Sequence, residues 1–410
     1  MKGLVLEGGG ARGAYQVGAY AALKEIGIEF DGVAGTSIGA VNAAYIVQGD
    51  IEIMKKVWLD YDYTHFMNID EQLYEKVKDI WFSTKNFNNI IDLMYRAKNN
   101  EGIDIEPFRV LLEKTLDESV IRNSKKDFGL ITVYWDRKLH PCRLLLDDIP
   151  EGRLVEYLIA SCSLPIFQFN KIDDKLFLDG GLSDNIPVSL LKNNGYDDIV
   201  VIRLTDDIVG KINLSKHNDI AIKVIIPSED LGGGLNKDHE NVARIMKLGY
   251  LDAMKAYDRI DGVNYFFEKE DRYDEDYCFD MFRNLKTEVV EKLCDILMIR
   301  KEPNLRTLLE NVIPKLGEHL GLEKKFSYRE LYYSIYEKKL EYNSISRVNL
   351  YDFNKVVQIV GKNVDSDDGI VADFGIPIIQ KNISLLSLNK NKGIKILVNC
   401  IIIGWTEYRD

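Results

Sequence analysis

Within its first 48 residues the chain places two glycine-rich turns, each between a short apolar strand pattern and a helical pattern. Residues 2–7 (KGLVLE) read as a strand, residues 8–13 (GGGARG) as a turn, and residues 14–26 as a helix with apolar positions at Val17, Tyr20, Ala21 and Leu23. Gly27 ends that helix. Residues 31–35 (DGVAG) form a second short strand, Thr36 and Ser37 a sharp turn, and residues 38–48 (IGAVNAAYIVQ) a small-residue helix that can lie close to a sheet. Strand, helix, strand and helix joined by turns this short point to a parallel α/β sheet.

A chain of 410 residues is too long for one ordinary core, so a large α/β domain with a second unit is expected. Residues 51–116 read as a helical insertion rich in aromatics, including Trp58, Tyr61, Tyr63, Phe66, Trp81, Phe82, Phe87 and Tyr95. Strand character resumes at 128–134 and 142–146, and a helix follows at 154–161. A hairpin at 171–178 turns through Asp173 and Asp174 and delivers Asp179. Further strands are expected at 199–204, 222–226 and 263–267, completing the sheet, with a long helix at 239–257. The acidic run 268–277 (EKEDRYDEDY) is the clearest break in composition. The expected organisation is therefore a domain over 1–268, a solvated acidic linker at 269–277 and a mainly helical region at 278–410. In that last region residues 305–313 pattern as a helix that Pro314 stops, and residues 330–340 as an amphipathic helix.

A net charge of -12 and a pI near 5.1 argue against a nucleic-acid partner and weaken attraction to anionic lipid. Cys142, Cys162, Cys278, Cys294 and Cys400 are odd in number and lack a CxxC pair, so neither a disulfide framework nor a zinc site is indicated. Between Gly3 and Glu7 only three apolar residues occur, too few for an export signal, and a cytoplasmic location is expected. The longest apolar stretch, 394–405, would span about 18 Å as a helix, short of a membrane core of about 30 Å, and reads as buried structure.

The turn at 8–13 matches GxGxxG, whose converging N–H groups suit an anion. Dinucleotide binding would require an acidic residue at the end of the second strand, but Asp31 stands at its start and its end runs into Thr36 and Ser37. Gly35-Thr36-Ser37-Ile38-Gly39 is GxSxG at a strand-to-helix turn, the context of a nucleophile elbow. A serine nucleophile needs a base. Of the five histidines, His217, His239 and His319 follow Asp179 without a strand-end context, and His140 sits in a turn beside Pro141. Asp179-Gly180-Gly181 instead offers a carboxylate at a strand end on a flexible turn.

With GGGARG, GTSIG and DGG in that order, the chain resembles the patatin-like phospholipase family of lipid acyl hydrolases. Residues 160–165 (ASCSLP), 184–188 (DNIPV) and 248–255 (LGYLDAMK) are similar too, so the resemblance runs over about 1–268. It implies a three-layer α/β/α sandwich and a Ser-Asp dyad needing no histidine, metal or cofactor. Carried over by position, Ser37 is the nucleophile and Asp179 its proton acceptor. Gly8, Gly9, Gly10 and Gly13 frame the oxyanion hole, the Gly9 and Gly10 N–H groups being the donors and Arg12 standing beside them. Gly35 and Gly39 shape the elbow, and Gly180 and Gly181 the acid motif. Many members read DGA where this chain has Gly181.

The implied substrate is a lipid or fatty-acyl ester, with peripheral membrane contact and the aromatic insertion acting as lid and acyl pocket. A carboxylate is a weak base toward serine, so Asp179 is expected to be desolvated with a raised pKa. Two other readings remain open from sequence: an esterase or thioesterase acting on small soluble substrates with the same dyad, and a non-catalytic binding or regulatory module.

Overall fold

The computed structural model describes residues 1–60, 66–68, 102–136, 138–168, 170–234, 239–364, 366, 370, 373–374 and 392–409. Most of the aromatic insertion, including Tyr61, Tyr63, Trp81, Phe82, Phe87 and Tyr95, lies outside the described residues. The chain divides into two compact units, Met1–Tyr257 and Asp258–Asp410.

The first unit carries β1 (Lys2–Leu6), α1 (Ala14–Glu25), β2 (Gly32–Thr36), α2 (Ile38–Gln48), α3 (Ile51–Leu59), α4 (Glu106–Thr115), α5 (Glu118–Arg122), β3 (Asp127–Trp135) and β4 (Leu139–Leu145). After them come α6 (Leu154–Ser161), β5 (Asn170–Ile172), β6 (Lys175–Asp179), α7 (Val188–Lys192), β7 (Asp198–Ile202), α8 (Ile208–Ser215), β8 (Ala221–Ile225) and α9 (His239–Ala256). The strands form one sheet in the order β5-β6-β3-β2-β1-β7-β8, with β4 paired to β3. The five strands from β8 to β3 run parallel, and β4, β5 and β6 are antiparallel additions.

β1 and β2 are buried along almost their whole length, because helices cover both faces of the sheet. On one face Val5, Ala34, Ile131 and Val201 pack with Val188, Leu190 and Leu191 of α7, and Leu214 of α8 joins them. On the other, a Cβ at Gly35 would lie 2.2 Å from the carbonyl of Gly39, so β2 and α2 touch backbone to backbone. This is the three-layer sandwich expected from the sequence.

β3 brings the GTSIG and DGG motifs together. Over Gly129–Trp135 one of its edges is occupied by β4. Its other edge receives β2 in parallel, ending with Thr36 opposite Ile131, and then β6 antiparallel, ending with Asp179 opposite Thr132. The C-terminal ends of β2 and β6 therefore meet head to head at consecutive residues of one strand.

The second unit has its own core, in which Tyr265, Phe267, Tyr273, Tyr332, Tyr333, Phe353 and Trp405 are buried together. Residues 263–267 do not complete the large sheet as expected. Phe266–Glu268 instead joins a small separate sheet with Ile260–Asp261 and Leu350–Tyr351, since a short aromatic run does not encode which sheet it enters. The acidic segment expected as a linker lies within this unit. Tyr273 is buried, and Glu275 accepts the N–H groups of Tyr328 and Arg329, so the charged residues decorate a packed aromatic turn.

Pro314 does not stop its helix. A π-helical turn at Leu308–Val312 precedes Ile313–Leu320 and leaves the proline in the first turn of the next segment, where no N–H is needed. The apolar stretch 394–405 lies in the helix Lys392–Arg409 and buries Leu397, Val398, Ile401, Ile402 and Trp405. Among the described residues no helix is long and apolar enough to cross a membrane.

Helices α1 and α9 approach through two glycines. A Cβ at Gly18 would lie 1.7 Å from the Met246 carbonyl oxygen, and one at Gly249 would lie 2.0 Å from that of Tyr15. Backbone cannot move aside as a side chain can. Gly18→Ala should therefore cost roughly 1–3 kcal/mol or more by overpacking, outweighing the gain of about 1 kcal/mol in helix propensity. Denaturant unfolding of the two proteins checks this.

Candidate active site

The elbow follows from the end of β2. Ser37 adopts φ 54° and ψ −129°, a conformation side chains rarely take, and it is held there by close packing on both sides. A Cβ at Gly39 would lie 2.4 Å from the Leu6 carbonyl oxygen, so larger residues at 35 or 39 would push the elbow off the sheet. Ser37 Oγ donates to Asp179 Oδ2 at 2.6 Å, although 142 residues separate the two. Asp179 is oriented in turn by the Gly181 N–H, donated to its Oδ1 at 2.8 Å, while its own N–H bonds the Ser163 carbonyl at 2.7 Å. Gly180 must be glycine because a Cβ there would lie 2.2 Å from the Ile131 oxygen.

Both side chains are buried, Ser37 at 8% and Asp179 at 2% exposure. Burial pushes the Asp179 carboxyl up from 3.8 to about 6, and the Ser37 hydroxyl and Gly181 N–H hold it back. Among the described residues no histidine hydrogen-bonds to Ser37 or Asp179. His140 stacks on Tyr134 and bonds Asp136, His239 bonds the Leu59 carbonyl, and His319 bonds the Lys315 carbonyl.

The glycine loop passes in front of Ser37. A Cβ at Gly8 would lie 3.2 Å from that of Ser37 and 2.4 Å from Asn185 Oδ1. The Gly8 N–H is taken by the Asn185 carbonyl at 3.2 Å and the Ala11 N–H by the Gly234 carbonyl at 2.7 Å. Among the described residues the N–H groups of Gly9 and Gly10 have no partner, which leaves two adjacent donors beside the serine. Gly10 itself has φ 60° and would place a Cβ 2.2 Å from the Gly234 oxygen. Arg12 Nε donates to the Gly232 carbonyl at 2.8 Å, and Gly13 packs against Ile38 and Trp58.

Several supports were not singled out by sequence. Ser161, fully buried, accepts the Ser37 N–H at 2.8 Å and donates to the Ile131 carbonyl at 2.6 Å, bridging the place where β2 leaves β3. Asn185 donates to the Gly8 carbonyl at 3.1 Å. Glu7, also buried, accepts the Leu204 N–H at 2.5 Å and faces the fully buried Arg203, whose Nε lies 3.6 Å from its Oε2. Trp58 Nε1 donates to Asn42 Oδ1, whose amide group donates to the Gly13 carbonyl and to Gln16 Oε1, and Gln16 donates to the Glu7 carbonyl. Ser161 and Asn185 fall in the similar stretches ASCSLP and DNIPV, the one signal by which they were accessible.

These groups surround a cavity of about 700 Å³. Its lining includes the apolar Trp58, Phe66, Met67, Ile105, Phe108, Leu164 and Phe167 and the polar Arg12, Asn185, Thr205, Asp207 and Asn213. Trp58, Phe66 and Phe108 form a chain of rings with centroids 6.3 and 5.1 Å apart. These are the described aromatic residues of the insertion at 51–116, and they line the cavity. The arrangement supplies a serine, a carboxylate that accepts its hydrogen bond, adjacent N–H donors and apolar lining residues.

Residues 4–192 match the family model described as patatin-like phospholipase. Patatin-like phospholipase domain-containing protein 7 of Rattus norvegicus is 28% identical over 206 residues, 48% of this chain and 13% of the relative. Neuropathy target esterase sws of Drosophila melanogaster is 28% identical over 203 residues, 49% of this chain and 12% of the relative. Lysophospholipase NTE1 of Yarrowia lipolytica is 29% identical over 195 residues, 47% and 12% respectively. The chain thus matches only about an eighth of the length of these relatives. The chain is also similar to the crystal structure of VipD from Legionella pneumophila, over 99% of this chain and 91% of that one, at 17% identity and a TM-score of 0.41.

The raised carboxyl of Asp179 has a stability consequence. Its folded pKa of about 6 lies above its ordinary 3.8, so the fold disfavours the ionised form. That penalty is absent below pH 3.8, grows as pH rises toward 6 and is constant above it, at about 3 kcal/mol. Asp179→Asn keeps the shape without the charge and should be more stable by about that much at pH 8, the gain shrinking as pH falls through 6. Urea unfolding at several pH values measures it. Ser161→Ala should instead lose roughly 1–3 kcal/mol by leaving the Ile131 carbonyl and Ser37 N–H unbonded.

Proposed function

We infer, on the premise that residues 4–192 constitute a patatin-like phospholipase domain, that this chain hydrolyses carboxylic esters of lipids, as a phospholipase A or lysophospholipase, through an acyl-enzyme on Ser37. The single observation that carries the reading is the 2.6 Å hydrogen bond from Ser37 Oγ to a buried Asp179 beside the unpaired Gly9 and Gly10 N–H groups. Relatives named as lysophospholipases support the substrate class.

In the proposed mechanism Ser37 Oγ attacks the ester carbonyl and its proton passes to Asp179 Oδ2. The negative charge that develops on the carbonyl oxygen is met by the Gly9 and Gly10 N–H groups, already oriented before reaction begins. Collapse of the tetrahedral species breaks the bond to the alcohol, which leaves with the proton held by Asp179. Water then enters, gives its proton to Asp179 and attacks the acyl carbon; the fatty acid departs and the proton returns to Ser37. A carboxylate raised to about 6 is a better base than an ordinary aspartate and is still ionised at neutral pH. In this reading the apolar lining of the cavity accepts the acyl chain, and Arg12, Asn185, Thr205 and Asn213 offer polar contacts to the glycerol and head group.

Fatty-acid release from mixed phosphatidylcholine and lysophosphatidylcholine vesicles, in metal-free buffer, tests the reading. Ser37→Ala and Asp179→Asn should each lower release by a factor of at least about 1000, with the wild type active. Hydrolysis of short soluble esters alone would place the chain among small-ester hydrolases instead. Because Asp179 must be ionised, kcat/KM should fall as pH drops below about 6, tenfold per unit. A profile flat from pH 7 to pH 4 would exclude Asp179 as the base.

A further inference from the structure

Three of the most exposed large apolar side chains among the described residues fall within five positions of one helix. Ile208, Val209 and Ile212 of α8 are 73%, 68% and 53% exposed. At positions i, i+1 and i+4 they occupy one sector of the helix. Scattered exposed apolar residues are ordinary, but a cluster on one helix marks a contact surface.

The same helix forms part of the cavity wall. Val209, Gly210 and Asn213 line the cavity that holds Ser37 and Asp179. Its inner side is fixed to the domain: Leu214 packs into the core, and Asp207 caps the helix by accepting the Gly210 N–H while pairing with the buried Arg203 at 3.0 Å. Gly210 sits directly over that guanidinium, since a Cβ there would lie 1.9 Å from Arg203 Nη2. The exposed edge is therefore a fixed feature of the cavity rim.

Charge selects the partner. Lys211 is paired with Asp206 at 2.8 Å and Asp207 with Arg203, so the apolar edge is flanked by charges that neutralise each other. With a net charge of -12 on the whole chain, an anionic membrane would repel the protein and gain nothing from this helix. A zwitterionic lipid surface asks only for apolar side chains that can enter between its head groups.

We propose that α8 is the surface by which this domain docks on zwitterionic phospholipid, with Ile208, Val209 and Ile212 entering the lipid and the cavity mouth opening beside them. The proposal rests on the lipid-hydrolase reading for its choice of partner, and its test is separable from that reading. Binding is measured with Ser37→Ala protein and sucrose-loaded phosphatidylcholine vesicles, pelleted at low and high salt. Against it is set the same protein carrying Ile208→Ser and Ile212→Ser, two positions outside the cavity lining.

The parent should pellet with the vesicles at both salt concentrations, and the double substitution should weaken partitioning by roughly ten-fold or more. Its melting temperature should stay within about 2 °C of the parent's, because exposed side chains contribute little to stability. Equal binding by both proteins, or no binding by the parent, overturns the proposal. So does a parent that sediments as a dimer and a variant that sediments as a monomer with unchanged vesicle binding, which would make this edge a contact between copies. Vesicle binding that depends on Ile208 and Ile212, without lipid hydrolysis by the Ser37-bearing protein, supports the docking surface and removes the catalytic reading.

Discussion

A β-strand has two edges, and β3 uses one of them twice. Because β4 runs along its other edge, β2 and β6 must share what remains, one arriving parallel and the other antiparallel. They stop at Ile131 and Thr132, and the next atoms available in each chain are the side chain of Ser37 and the carboxylate of Asp179. The separation between these groups is thus set by backbone pairing within the central sheet, and no loop has to find it. The gap where the two strands meet would leave the Ile131 carbonyl unpaired, and Ser161 fills it while also holding the Ser37 N–H.

That construction places charge where the solvent cannot help it. Asp179 lies in apolar surroundings with two hydrogen bonds, enough to keep it ionised at neutral pH and too few to return it to an ordinary aspartate. Glu7, directly before the glycine loop, is also buried, and burial raises its pKa against the Leu204 N–H and Arg203. Arg203 in turn reaches Asp207 at the start of α8. A line of buried polar contacts therefore joins the glycine loop to the cavity rim, and buried charges of this kind fix geometry more surely than they add stability.

What could be read from sequence divides along the same physical line. Ser37, the glycines at 8–10 and Asp179 announce themselves because turn chemistry is local: a positive φ or a close backbone approach demands glycine at fixed spacing. Ser161, Asn185, Glu7 and Arg203 act through partners 30 to 197 residues away, a distance at which a serine or a glutamate carries no mark. The sheet shows the same contrast. Strands delimited by turns are legible to within about three residues, whereas the pattern at 263–267 does not say which sheet it joins and the acidic run 268–277 reads as a linker although it is packed. In the first case strand character is silent about partners. In the second, charge on the outside of a turn hides Tyr273 beneath it.

The cavity also explains why substrate class is harder to read than mechanism. Its apolar wall is assembled from α3, residues 66–67, Ile105, Phe108, Leu164 and Phe167, segments that sequence alone assigns equally well to plain core. Only their convergence on Ser37 gives them a direction. An apolar wall beside the proposed nucleophile favours an ester whose acyl chain is long enough to leave water, and such an ester resides in a lipid surface more than in solution. The entrance must then meet that surface, and among the described residues the part of the rim that carries exposed isoleucine and valine is α8. A small soluble ester would need the Ser37 and Asp179 geometry but would give no reason for either the apolar wall or the apolar edge, so the two features together weigh toward lipid.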